Sequence, residues 1–147
     1  MMRSVLAALV VSSLLGGVRI VAHHSFEAEF DGNKPITMQS VITKMEWINP
    51  HSWLYIDVKQ PDGKVESWAI EFASPGTLIS RRGWSRDMLP VGATVTVFGY
   101  LAKDGSPRAN GRRVTIPSGK LMCASSCGPE WEKQVAEDEA KAKAGQK

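Results

Sequence analysis

The sequence predicts an all-β domain with a small helical contribution. Three observations carry this. Runs rich in β-branched and aromatic residues recur along the middle of the chain, separated by turn dipeptides such as Asn49-Pro50, Asp62-Gly63 and Asp104-Gly105. VESWAIEF alternates apolar and polar positions, the period of a strand with one buried face. A helix signal in the middle of the chain comes at Ser74-Pro75, between the third and fourth strand runs.

The first run, ITMQSVITKMEW from Ile36, is long. Its apolar positions are Ile36, Met38 and Ile42, then Met45 and Trp47, so the parity changes midway. A change of parity within one strand marks a bulge or bend. Asn49-Pro50 breaks the run, and SWLYIDV follows as the second strand. QPDGK is a tight turn into VESWAIEF, which sets Trp68, Ile70 and Phe72 on one face. Ser74 then serves as N-cap and Pro75 as first helical residue of a short helix that stops at Gly83. ATVTVFGYL is the fourth strand, KDGSPRANG a loop, and RRVTIP the fifth strand. The order β-β-β-α-β-β, with a long bent first strand, is that of an OB-fold, a five-stranded Greek-key barrel. Beyond Gly119 the strand pattern ends. GPEWEKQVAEDEAKAKAGQK is charged and alanine-rich, either a solvated helix or a disordered tail.

The opening residues differ from the rest. Arg3 precedes an apolar run from Val5 to Val18, too short for a comfortable helical span of a bilayer and suited to the h-region of a signal peptide. Ala22 is a small residue fit for the position before a cleavage site; an uncleaved anchor, or a cut one or two residues away, is the competing reading. The organisation expected is therefore a signal peptide over 1–22, an extended arm over 23–35, an OB-like barrel over 36–118, and a cysteine-containing segment with charged tail over 119–147. Cleavage removes Arg3 and Arg19 and lowers the formal charge from +3 to +1. A near-neutral exported domain without a basic run is not a nucleic-acid binder. The location expected is the periplasm, with no stable membrane span after cleavage and an envelope protein as partner; nothing in the sequence fixes the oligomeric state.

HHSFEAEFD, KPITMQSVITKMEWINPHSWLYIDVK, the run from Trp68 to Gly76, and RRGWSRDMLPVGATVTVFGYLAKDGS together resemble the DUF6152 family of uncharacterised exported bacterial proteins. The resemblance covers roughly residues 23 to 118 and rests on HHSF, NPH-x-W, RRGW and KDGS in that order. It implies export and a small β-barrel, and implies no activity. The CASSC segment and the tail lie outside it.

Three groups of residues are candidates for chemistry. The chain has three histidines, His23, His24 and His51. Cleavage after Ala22 makes His23 the N-terminal residue, whose α-amine, with a pKa of about 8, can join its imidazole in chelating a metal. A further imidazole from His24 or His51 completes a nitrogen set suited to Cu(II). Against this stand two plain roles, solvated histidines at the terminus and a turn-capping or ring-stacking His51. Glu27, Glu29 and Asp31 lie near the histidines and are usual for a solvated arm. Cys123 and Cys127 are expected to form a disulfide in an oxidising compartment, with Cu(I) ligation alongside Met122 as the other reading. A structural zinc site needs four ligands, and a c-type haem site needs His after the second cysteine, where Gly128 stands. Trp53 and Tyr55 share one face of the second strand and form a candidate platform for a ligand or partner, although a small barrel also needs large side chains for its own packing. No catalytic set is present; Glu66 and Glu71 fall on opposite strand faces. The sequence thus reads as a non-enzymatic binding or adaptor module with copper as its candidate metal. The alternatives are a metal-free interaction or ligand-binding barrel, and an accessory subunit of a periplasmic redox enzyme.

Overall fold

The structure is a computed structural model that describes residues 25–129 together with Trp131 and Lys133. The expected signal peptide, His23, His24 and most of the charged tail lie outside the described residues. One helical turn, α1 (Phe26–Glu29), leads into β1 (Phe30–Glu46). β2 (Trp53–Lys59), β3 (Val65–Glu71), α2 (Pro75–Arg82), a 3₁₀ turn (Arg86–Met88), β4 (Thr94–Ala102), β5 (Arg108–Thr115) and β6 (Leu121–Cys123) follow.

The strands form one sheet in the order β3-β2-β1-β4-β5-β6, and β3 also pairs in parallel with β5 through Ala69, Ile70 and Glu71. That pairing closes β1 to β5 into a barrel-like ring with OB topology. β1 serves both sides of it. Its first part pairs with β4 from Ile36↔Gly99 to Val41↔Thr94, and its second with β2 from Val41↔Asp57 to Glu46↔Trp53. The register slips between Ile42 and Lys44, where the apolar parity of the sequence changes. The slip allows Met45 to pack against the core that Met38 and Ile42 enter before it, while the strand turns from one neighbour to the other.

The core is built from alternate residues of every strand of the ring. Leu54 and Ile56 of β2, Ile70 of β3, Val95 and Val97 of β4, and Ala109 and Val114 of β5 are buried with Phe72 and Leu78. α2 forms where its caps predict: the Thr77 N–H donates to Ser74 Oγ at 3.3 Å, Pro75 stands in the first turn, and Gly83 ends the helix at φ 67°. Leu78 is its buried residue and plugs one side of the ring.

Three expectations need correction. β1 begins at Phe30, not Ile36, so residues 30–35 of the supposed arm are strand and Phe26–Glu29 form a helical turn. β5 begins at Arg108, inside the stretch expected to be loop, because its backbone pairs with both β4 and β3 once the ring closes. A sixth strand follows Gly119: Leu121, Met122 and Cys123 pair with Thr115, Val114 and Arg113. Met122 and Ala124 are buried, and the Trp84 Nε1–H donates to the Cys123 carbonyl at 2.7 Å. The cysteine segment is thus part of the packed domain. Its strand is too short to be read from periodicity.

Candidate functional site

A cavity of about 480 Å³ lies on the outside of the ring, over the seam where β3 meets β5. On β5 the buried Ala109 and Gly111 point inward, so Arg108, Asn110 and Arg112 form the cavity side of that strand. Glu71 of β3 stands in register with Asn110 on one side and Trp53 on the other. His51, after the cis Asn49-Pro50 peptide, and Trp53 form the β2 side. Ser25, Phe26 and Glu29 of the N-terminal segment and Ser125 and Ser126 of the cysteine segment complete the wall. In OB-folds, ligands bind at the face of strands two and three between the β1–β2 and β4–β5 loops. This cavity adjoins the β1–β2 loop and the ends of β2 and β3 that carry Trp53 and Glu71, and extends from there along β5.

His51 Nδ1 is in hydrogen-bond contact with Glu71 Oε1. The Glu71 side chain is 9% exposed and the imidazole 35%. A carboxylate removed from water to that degree costs free energy unless donors replace the water, and the Nδ1–H is one such donor. The imidazole is thus tied to a strand residue, and both side chains line the cavity.

The segment following the histidine pair is docked against the barrel. Phe26 stacks on Phe30 with ring centroids 5.9 Å apart and meets Tyr100 edge-on at 5.6 Å. The Arg112 guanidinium lies 4.2 Å from the Phe26 ring centroid, a cation–π contact. The Lys103 N–H donates to the Glu29 carbonyl at 2.9 Å, and Glu29 faces Arg108 at 3.6 Å. Ser25, next in sequence after His24, consequently lines the same cavity as His51. Arg112 also donates from Nη1 to the Ser126 carbonyl at 3.1 Å, and its burial lowers its pKa. Arg108 is shared with Asp104 at 3.0 Å.

Of the metal candidates, His51 stands at the cavity, whereas His23 and His24 lie outside the described residues. Among the described residues no group of three His, Cys, Asp or Glu side chains is arranged to hold a metal ion. The platform candidates separate. Trp53 is on the cavity wall, while Tyr55 is engaged elsewhere: its hydroxyl donates to Glu46 Oε2 at 2.9 Å and Lys44 Nζ lies 5.3 Å from its ring centroid. Glu46 is held below the ordinary carboxylate range by Lys44 and then by the Tyr55 hydroxyl. Cys123 and Cys127 form the expected disulfide. Ser125, inside that loop, donates from Oγ to the Gly111 carbonyl at 2.7 Å, which seats the loop on β5 beside the cavity.

Glu71, Arg108 and Arg112 were not expected at the site. A signal for Glu71 did exist. The β2–β3 hairpin pairs Lys59↔Val65 outward to Trp53↔Glu71 about the Asp62-Gly63 turn, so folding the sequence on that turn brings Glu71 to the end of β2 where His51 stands. The arginines carry no such signal, because β5 joins β3 only through ring closure.

No helix among the described residues is long and apolar enough to cross a membrane. No curated protein and no solved structure matches the chain. A family described as one of unknown function, DUF6152, matches residues 10–112. The match runs from within the apolar run near the N-terminus to β5 and stops before the cysteines, so it contains His23, His24, His51, Glu71 and both cavity arginines. Covering more than half of the chain, it shows that this protein belongs to the DUF6152 family.

Proposed function

We propose that this protein is an exported, periplasmic binding module, not an enzyme, that holds a transition metal, copper first, through His23, His24 and His51. The observation that carries the reading is the docked N-terminal segment. Ser25 lines the same cavity as His51, and Phe26 is clamped between aromatic rings and Arg112. In this reading the two histidines that precede Ser25 in the sequence join the third as ligands. Cleavage after Ala22 adds an α-amine to the donor set, and amine plus imidazole nitrogens suit Cu(II). The disulfide is in keeping with an oxidising compartment.

Two measurements test it. Mass spectrometry of the exported protein is expected to give His23 as the first residue; a start at Ser25 or later removes two of the three ligands and ends the copper reading. Copper titration of correctly processed protein is expected to show one site that is lost in a His24→Ala, His51→Ala double variant. Unchanged binding in that variant rejects the three-histidine site.

A second reading is favoured by the cavity itself, which adjoins the β1–β2 loop and has Trp53 on its wall. In it the cavity receives a small ligand or a segment of an envelope protein without metal, and the module serves a partner such as a periplasmic redox enzyme. Trp53→Ala then loses partners captured from envelope extracts while copper uptake is unaffected. Retention of every partner rejects that surface.

A further inference from the structure

We infer that the outer face of the β4–β5 pair is a second ligand site, beside the His51 cavity, and that its ligand is a phosphate monoester held by Arg112 and Arg113. The inference does not depend on the metal reading above.

The site begins with a slip in register. Phe98 pairs with Arg113 and Gly99 with Gly111, so Arg112 is the extra residue of a β-bulge in β5. A regular strand would send Arg112 and Arg113 to opposite faces. Here Gly111 and Val114 are buried, and the two arginines between them both stay on the outer face. Phe98 and Tyr100 stand on the outer face of β4, with ring centroids 5.7 Å apart. A cavity of about 380 Å³ lies over these side chains and is completed by Phe26 and by Ser126, Cys127 and Gly128 of the cysteine segment. Its volume falls within the range of small-molecule sites, about 300–1,000 Å³.

The charge of this cavity has one sign. Among the described residues that line it, none is Asp or Glu. The Arg113 guanidinium lies 4.4 Å from the Phe98 ring centroid and pairs with no carboxylate among the described residues. Arg112 packs on Phe26 at 4.2 Å and on Tyr100 at 5.5 Å. Its Nη1 donates to the Ser126 carbonyl, and its Nε is buried without an acceptor among the described residues. A guanidinium partly withdrawn from water is costly without a counter-charge, and a bound anion supplies one. The ring contacts restrain both groups and leave N–H donors for an oxyanion, which guanidinium binds in bidentate fashion. Two cations suit a phosphate monoester, with a charge of about −1.5 to −2 at pH 7 and three acceptor oxygens. A carboxylate brings a single charge and two oxygens.

The test is calorimetric titration of the protein with phenyl phosphate, and with benzoate as a monoanion on the same ring. Wild type is compared with Arg112→Gln, Arg113→Gln and Arg86→Gln. The last makes the same change of charge at an arginine that packs on Trp47 instead. Wild type and Arg86→Gln are expected to bind phenyl phosphate alike, at least about tenfold more tightly than benzoate. Arg112→Gln and Arg113→Gln are each expected to lose about 10–100-fold, the loss of a hydrogen bond to a charged group. Thermal melts check folding. If Arg112→Gln does not fold, the comparison of Arg113→Gln with Arg86→Gln decides. No binding of phenyl phosphate at millimolar concentration overturns the site. So does benzoate bound equally well, or an equal loss in Arg86→Gln and Arg113→Gln. Phosphatidic acid carries the same phosphate monoester, so vesicles of phosphatidylcholine doped with that lipid form a second arm. Phenyl phosphate bound, with or without vesicles, upholds the cavity as the site. Vesicles bound without phenyl phosphate overturn it in favour of a charged surface. Copper enters no arm of the test.

Discussion

Gly111 stands where β5 passes over the core. A Cβ there would lie 2.6 Å from Phe72 Cε1 and 2.8 Å from Ile70 Cγ2, both in the fully buried interior. Gly111→Ala is therefore expected to destabilise by about 1–3 kcal/mol, the usual cost of overpacking, measurable as a lower urea midpoint. Trp84 presents the opposite case, a large side chain whose polar edge is used. Its ring lies 5.8 Å from that of Phe72 and its N–H reaches the Cys123 carbonyl at 2.7 Å. Trp84→Phe removes the donor and leaves space, with an expected loss of about 1–3 kcal/mol, again read by denaturation. The RRGW stretch was legible as a motif. That its tryptophan bonds the cysteine strand, 39 residues later, was not. His51 and Glu71 teach the same lesson at the site: each residue was visible, and their contact is a product of hairpin register.

The β4–β5 loop shows how an element is fastened. Asp104 Oδ1 accepts from the Ser106 hydroxyl at 2.6 Å and the Ser106 N–H at 3.0 Å, and Arg108 adds a further bond at 3.0 Å. Together these pull Asp104 from 3.8 down to about 2. A depressed folded-state pKa stabilises the fold above the unfolded value, and that contribution disappears as pH falls through the folded one. The stability gap between wild type and Asp104→Ala should hence be full above about pH 5 and shrink towards zero near pH 2. Denaturation midpoints across that range check it; a gap independent of pH would mean that the bonds to Ser106 are not those of a carboxylate. The N-terminal turn α1 is fastened differently, by Phe26 against Phe30, Tyr100 and Arg112. Phe26→Ala is expected to speed amide exchange in residues 26–30 and, on the metal reading proposed above, to weaken copper uptake, while the barrel melts close to the wild-type temperature. Uptake unchanged despite faster exchange would separate the docked turn from the site.

Across the whole molecule, the ring closes at β3–β5 and the cysteine strand pairs with the later part of β5, with Met122 in the core. The disulfide spans a sequence separation of four, so in the chain-entropy model it contributes about 2 kcal/mol. Reduction should lower global stability by about that amount. It should also loosen the Ser125–Ser126 wall of the cavity, which thiol-dependent change in Trp53 fluorescence would report. A drop well beyond that would show that β6 as a whole leaves with the bond. What the sequence determined by itself were the features that depend on neighbours along the chain. Alternation marked the strands of the ring, the parity change in β1 marked its bulge, Ser74, Pro75 and Gly83 delimited α2, and cysteine spacing marked the disulfide. The tertiary structure alone decided where β1 and β5 begin, that Leu121 to Cys123 is a strand, and that Arg108 and Arg112 share a cavity with His51, Glu71 and Ser25. The physical reason is the range of the interactions. Caps, turns and side-chain period act over a few residues, whereas an edge pairing exists only once distant backbone donors and acceptors meet. Ring closure makes β3 and β5 neighbours, and the site is built on that seam.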